Sequence, residues 1–106
     1  MTTFDDRKDA FENKYAHDKE TDFKIIARRN KLLGLWAAEQ MHLESEKHDD
    51  YAKEVVAADF EAPGDEDVLN KVLKDLEKAG ISITANEVRE EMNRLLIIAG
   101  EQLRSS

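Results

Sequence analysis

Three groups of side chains carry chemistry by type and spacing. Arg28, Arg29 and Lys31 stand close to Trp36, cations beside an aromatic ring, a combination that can hold a phosphate and stack a base. The same basic residues can equally pair with carboxylates of their own chain. Phe4, Phe11 and Tyr15 are spaced by seven and four, which puts three large apolar groups on one helical stripe in an otherwise charged segment. Such a stripe is either a ligand for a partner's groove or a loosely docked extra helix. Asp65-Glu66-Asp67 has the look of a calcium loop, but the sixth and twelfth positions counted from Asp65 are Asn70 and Leu76, where that loop needs glycine and glutamate. Helix capping is the better reading.

Other chemistries lack their residues. There is no cysteine, which excludes disulfides and thiolate metal sites. His17, His42 and His48 show no ligand spacing, so no metal is assigned. The four glycines are isolated and none precedes a Lys-Ser or Lys-Thr pair, so no phosphate loop is expected. No nucleophile elbow surrounds any serine. The chain therefore reads as a regulatory or binding protein rather than an enzyme, with no catalytic residues and no required cofactor.

The elements that must position these groups are helical. In 106 residues, 41% are apolar and 38% charged, with one proline, and strand-forming runs are nearly absent. The net charge of −8 falls entirely on residues 44–106, because residues 1–43 hold eight acidic and eight basic side chains. That balance argues against nucleic acid, which requires a basic surface. No run approaches the roughly 20 apolar residues of a membrane span, and the start lacks the basic and apolar blocks of a secretory signal. A cytoplasmic protein without direct membrane insertion is expected.

From Phe4 to about Asp22 the stripe is too sparse to hold a helix down. Burial yields about 25 cal/mol per Å², against more than about 1 kcal/mol to order each residue. From Phe23 the pattern thickens. Phe23, Ile26, Ala27, Leu33, Gly34, Ala37 and Met41 share one face, and Ile25, Leu32, Trp36 and Leu43 lie roughly opposite. A helix apolar on two faces is central to a bundle or reserves one face for a partner. Asn30, within the first stripe, needs a hydrogen-bond partner there.

The polar stretch 44–50 is expected to separate this helix from a second one, which starts near Tyr51 and ends near Phe60. Ala62-Pro63-Gly64 then forces a turn. A third helix buries Val68, Leu69, Val72, Leu73 and Leu76 and ends at Gly80. Ile81-Ser82-Ile83 tucks into the core, and Thr84 with Glu87 has capping-box spacing. The fourth helix turns Val88, Met92, Leu95, Leu96, Ala99 and Leu103 inward, and Ser105 and Ser106 fray. The expected fold is all-α: a four-helix bundle over 19–106 with a long first helix, preceded by a mobile segment over 1–18.

Four blocks carry a family resemblance: Phe4-Asp5-Asp6-Arg7, Lys14-Tyr15-Ala16-His17-Asp18, Ala27-Arg28-Arg29-Asn30-Lys31 through Trp36-Ala37-Ala38, and Pro63-Gly64-Asp65-Glu66-Asp67-Val68. In order and spacing they resemble the ζ subunit of α-proteobacterial F-type ATP synthases. Ile25 and Ile26 depart from the small residue expected after Phe23-Lys24. The resemblance implies an inhibitor of ATP hydrolysis by the synthase's catalytic head, peripheral to the inner membrane through that enzyme. It implies an N-terminal segment that is mobile when free and folds on insertion at a catalytic interface between the α and β subunits, near γ. Carried over by residue, Phe4, Asp5, Asp6, Arg7, Phe11, Lys14 and Tyr15 make the inhibitory contact. The bundle is implied to bind ADP or ATP, with Arg28, Arg29, Lys31 and Trp36 as the candidate residues. The alternatives from residues alone are a helical adaptor using the second stripe and a nucleotide-responsive sensor.

Overall fold

The computed structural model describes residues 19–61 and 64–105, which form four α-helices: α1 (Lys19–Gln40), α2 (Ser45–Glu61), α3 (Asp65–Lys78) and α4 (Ala85–Ser105). The expected all-α bundle with a long first helix is what the chain forms. The seven residues of the expected inhibitory contact lie outside the described residues. Among the described residues, every fully buried large side chain falls between Asn30 and Val88, and the core cluster runs from Leu33 to Leu95.

Helix α1 packs on all three other helices. Leu33, Gly34 and Ala37 of its first stripe are buried, while Leu32, Trp36 and Leu43 of the second are half-buried against the same core. Both stripes are thus used within the bundle, and α1 is its central helix. Phe23 is a departure from that pattern: it is 53% exposed, because the first turns of α1 project past the core. Close approach of α1 to α2 rests on small residues. A Cβ added to Gly34 would lie 2.6 Å from the Cα of Ala52, so only glycine fits there.

The connection from α1 to α2 is shorter than the sequence suggests. Leu43 N–H donates to Ala38 O at 3.0 Å and His42 N–H to Glu39 O at 3.0 Å, the paired bonds of a Schellman motif. His42 sits at the left-handed position with φ 57°, normally taken by glycine. Helix α2 then starts at Ser45, six residues before the expected Tyr51. Glu46 and Lys47 are good helix formers, and a turn beyond the core needs no apolar face. His48 Nε2–H donates to Leu43 O at 2.8 Å and ties the new helix to the loop.

At the end of α3 the same motif recurs with its usual residue. Gly80 has φ 83°, Ile81 N–H donates to Leu76 O at 2.9 Å and Gly80 N–H to Glu77 O at 3.0 Å. Ile81 and Ile83 then pack against the core. The Thr84–Glu87 capping box forms reciprocally: Glu87 N–H donates to Thr84 Oγ1 and Thr84 N–H to Glu87 Oε1, both at 3.1 Å. In α4, Val88, Met92, Leu95 and Ala99 are buried. Leu96 is not: it stands roughly 100° round the helix from Leu95 and is 36% exposed, while Ile98 packs inward instead. Helix α4 continues through Ser105 rather than fraying there.

Candidate functional site

The basic cluster of α1 is distributed around the helix rather than gathered at one point. At about 100° per residue, Arg28, Arg29 and Lys31 face three directions. Arg29 is 2% exposed; its Nη2 donates to Asp65 Oδ1 at 2.8 Å and its Nε to Asn30 Oδ1 at 3.0 Å. The guanidinium therefore clamps the start of α3 to α1. Its hydrogen bond above all, helped by its charge and that of Arg89, outweighs the opposing effect of burial and holds the Asp65 carboxyl below its ordinary value. Asn30, as expected, finds a partner for its carbonyl, but its Nδ2 has none.

Arg28 is exposed and donates from Nη1 to Gln102 Oε1 of α4 at 3.2 Å. Trp36 is half-buried against the core. Lys31, about 60° round the helix from Arg28, is exposed and lines a groove of about 470 Å³ with Asp49, Ala52, Lys53, Val56, Ala57 and Phe60 of α2. Of the four residues, the structure joins Arg29 and Trp36 to the bundle interior and leaves Arg28 and Lys31 at its surface. Phe60, at the mouth of the groove, is 62% exposed, and its ring centroid lies 5.5 Å from that of Phe23. By sequence alone Phe60 reads as an ordinary helix end and Phe23 as a core position. Antiparallel pairing of the start of α1 with the end of α2 would have brought them together on paper.

A second polar cluster joins α2 to α3. Tyr51 O–H donates to Asp75 Oδ2 at 2.8 Å, and Lys71 Nζ donates to the same oxygen at 3.0 Å while lying 3.5 Å from Glu54. Burial, followed by the Asp75 hydrogen bond and the charges of Asp75 and Glu54, raises the Tyr51 phenol well above its ordinary range. For Lys71, burial disfavours the charge, but the bonds and charges of Asp75 and Glu54 outweigh it and raise its pKa. Both groups stay in their protonated forms at neutral pH and act as braces. Among the described residues no three His, Asp or Glu side chains gather to hold a metal, and no helix is long and apolar enough to cross a membrane.

The described residues define an all-α class of domain, a four-helix bundle in which Arg29 and Lys71 brace one helix against another. The chain belongs to the family described as ATPase inhibitor subunit zeta, whose model matches residues 1–102. Membership supports an ATPase-inhibitory, regulatory role and implies association with ATP synthase. A protein whose structure was determined in solution by NMR is 46% identical, with a TM-score of 0.69, over 78% of this chain and 94% of that one. No curated protein matches the chain.

Proposed function

We propose that the chain inhibits ATP hydrolysis by the catalytic head of an F-type ATP synthase. Residues 1–18 act as the inhibitory segment, folding as they enter a catalytic α/β interface near γ. The observation that carries this is the span of the family match, which begins at residue 1 and so takes in the segment together with the bundle. Phe4, Phe11 and Tyr15 then supply burial in the complex, and Asp5, Asp6, Arg7 and Lys14 set register. Part of the contact energy offsets the ordering of the segment. The protein acts in the cytoplasm, held at the inner membrane by the synthase.

Hydrolysis by the cognate catalytic head, titrated with the full chain and with residues 19–106, tests the reading. The full chain inhibits and the truncated one, still helical, does not; full inhibition by residues 19–106 would sink it. The same reading gives the bundle an ADP or ATP site around Arg28, Lys31 and Trp36, with Arg29 bracing α1 from inside. Exposure of Arg28 and Lys31 supports it. Amide signals of these residues move on titration with millimolar ADP, and an unchanged spectrum removes the site.

A further inference from the structure

We infer that the Phe23–Phe60 pair and the groove beside it form a second docking surface for the same catalytic head, one that accepts an apolar side chain flanked by carboxylates. The inference rests on the inhibitory reading above, since it names a further part of that contact. Phe23 and Phe60 are 53% and 62% exposed yet pack on each other, their rings tilted by 54° with centroids 5.5 Å apart. An apolar cluster rimmed by charge is the usual mark of a protein-binding patch. The patch continues from Phe60 into the groove of about 470 Å³, lined by buried Ala52, half-buried Val56 and exposed Ala57 together with the charged Lys31, Lys53 and Asp49.

Two observations select the occupant. The first is charge. The chain carries −8, but this groove holds two lysines to one aspartate, and neither lysine makes an ion pair within 4 Å among the described residues. Even Asp49, four residues before Lys53, makes none. Two ammonium groups beside an apolar lining complement a partner that offers carboxylates around an aliphatic or aromatic side chain. The second is continuity. Phe23 lies four residues, about 6 Å along the helix axis, from Lys19, where α1 begins and the proposed inhibitory segment ends. A partner that grips the segment through residue 18 therefore reaches the patch without any new element between them. The resulting contact would lengthen the interface from one inserted helix to a helix plus a face of the bundle.

The test titrates hydrolysis by the cognate head with the full chain, with residues 19–106, with the F23S/F60S double variant and with Lys53→Glu. Loss of two aromatic anchors should raise the half-maximal concentration roughly ten- to hundredfold, and reversal of one groove charge about three- to tenfold. Maximal inhibition is retained in both, because the inserted segment is intact. Both replacements are on the surface, so thermal midpoints should match the wild type; Lys53→Glu carries the test alone if the double variant is misfolded. An unchanged half-maximal concentration for both variants, with residues 19–106 inert, overturns the docking surface and leaves the inhibitory reading standing. Inhibition by residues 19–106 equal to that of the full chain overturns both. Two further outcomes would assign the patch elsewhere and so also overturn the proposal. One is a wild-type dimer in sedimentation that F23S/F60S dissolves. The other is a shift of the Lys53, Val56 and Phe60 amide signals on deletion of residues 1–18.

Discussion

Gly34 of α1 meets Ala52 of α2 so closely that a Cβ on the glycine would stand 2.6 Å from the alanine's Cα and 3.2 Å from its Cβ. The obstruction is backbone, and backbone cannot rotate out of the way. Replacing Gly34 with alanine gains about 1 kcal/mol of helix propensity, but it must push apart the two helices that share the core. The overpacking cost, typically about 1–3 kcal/mol, should win in this contact, because both helices are anchored by buried Leu33, Ala37 and Val55 on either side. We expect Gly34→Ala to lower the urea midpoint with an unchanged slope. Ala52→Gly in the same chain should rescue little, since it removes the Cβ at 3.2 Å and leaves the backbone Cα at 2.6 Å and N at 3.3 Å.

Much of this fold can be read from local signals, and the misses are instructive. The Thr84–Glu87 capping box, the acidic start of α3 and the Val68–Leu76 stripe are each written within a few residues, and each forms. The start of α2 was hidden because apolar periodicity is silent in a turn that touches no core, and only Glu46 and Lys47 of Ser45–Asp50 favour helix strongly. The cap at His42 was hidden because its sequence lacks the glycine that announces such a turn. Arg29 with Asp65 is a tertiary pair, thirty-six residues apart, and nothing local predicts it. The basic cluster was legible as residues but not as a site: nearness in sequence became different faces of one helix.

His42 should be improvable. It holds φ 57°, a left-handed conformation that costs an L-residue roughly 1–2 kcal/mol, and its side chain is exposed, so little packing is lost. Glycine removes the steric cost while giving the unfolded chain more freedom. The net effect of His42→Gly should be a gain of about 0.5–1 kcal/mol, seen as a rise of a few degrees in the thermal midpoint. Gly80→Ala, at φ 83°, should do the reverse by a similar amount. If both substitutions moved the midpoint in the same direction, the cap argument would be wrong.

The Arg29–Asp65 clamp predicts a particular acid response. Asp65 has a lowered pKa in the folded chain, so its contribution is fully present above the unfolded carboxylate value of about 3.9. The contribution is lost as pH falls through the folded value. Stability should therefore decline on acidification below about pH 4, and Asp65→Asn should flatten that decline. Near neutrality the variant leaves a guanidinium whose side chain is 3% exposed without its counter-charge. The cost should be about 1–2 kcal/mol, below that of a fully buried pair because Asp65 itself is 61% exposed. Denaturant midpoints across pH should converge for wild type and variant in acid and separate above it. A constant offset at every pH would show that the pair contributes no linkage.

The Tyr51 phenol gives the matching test in alkali. Burial first, then its hydrogen bond to Asp75, and then the charges of Asp75 and Glu54 raise its pKa above the ordinary value of 10.0. A proton held more tightly in the folded state stabilises fully below about pH 10, and that contribution is lost as pH rises from there toward the folded value. The chain should therefore lose stability steadily above about pH 10. Tyr51→Phe should cost about 1 kcal/mol at neutral pH, the worth of one hydrogen bond, and should show a shallower alkaline decline. In a Tyr15→Phe background Tyr51 is the only remaining tyrosine, so phenolate absorbance reports it alone. That absorbance should rise together with the loss of helix, because the phenol ionises when α2 leaves α3. Ionisation near pH 10.0 with the helices intact would mean that the Asp75 bond does not hold the proton.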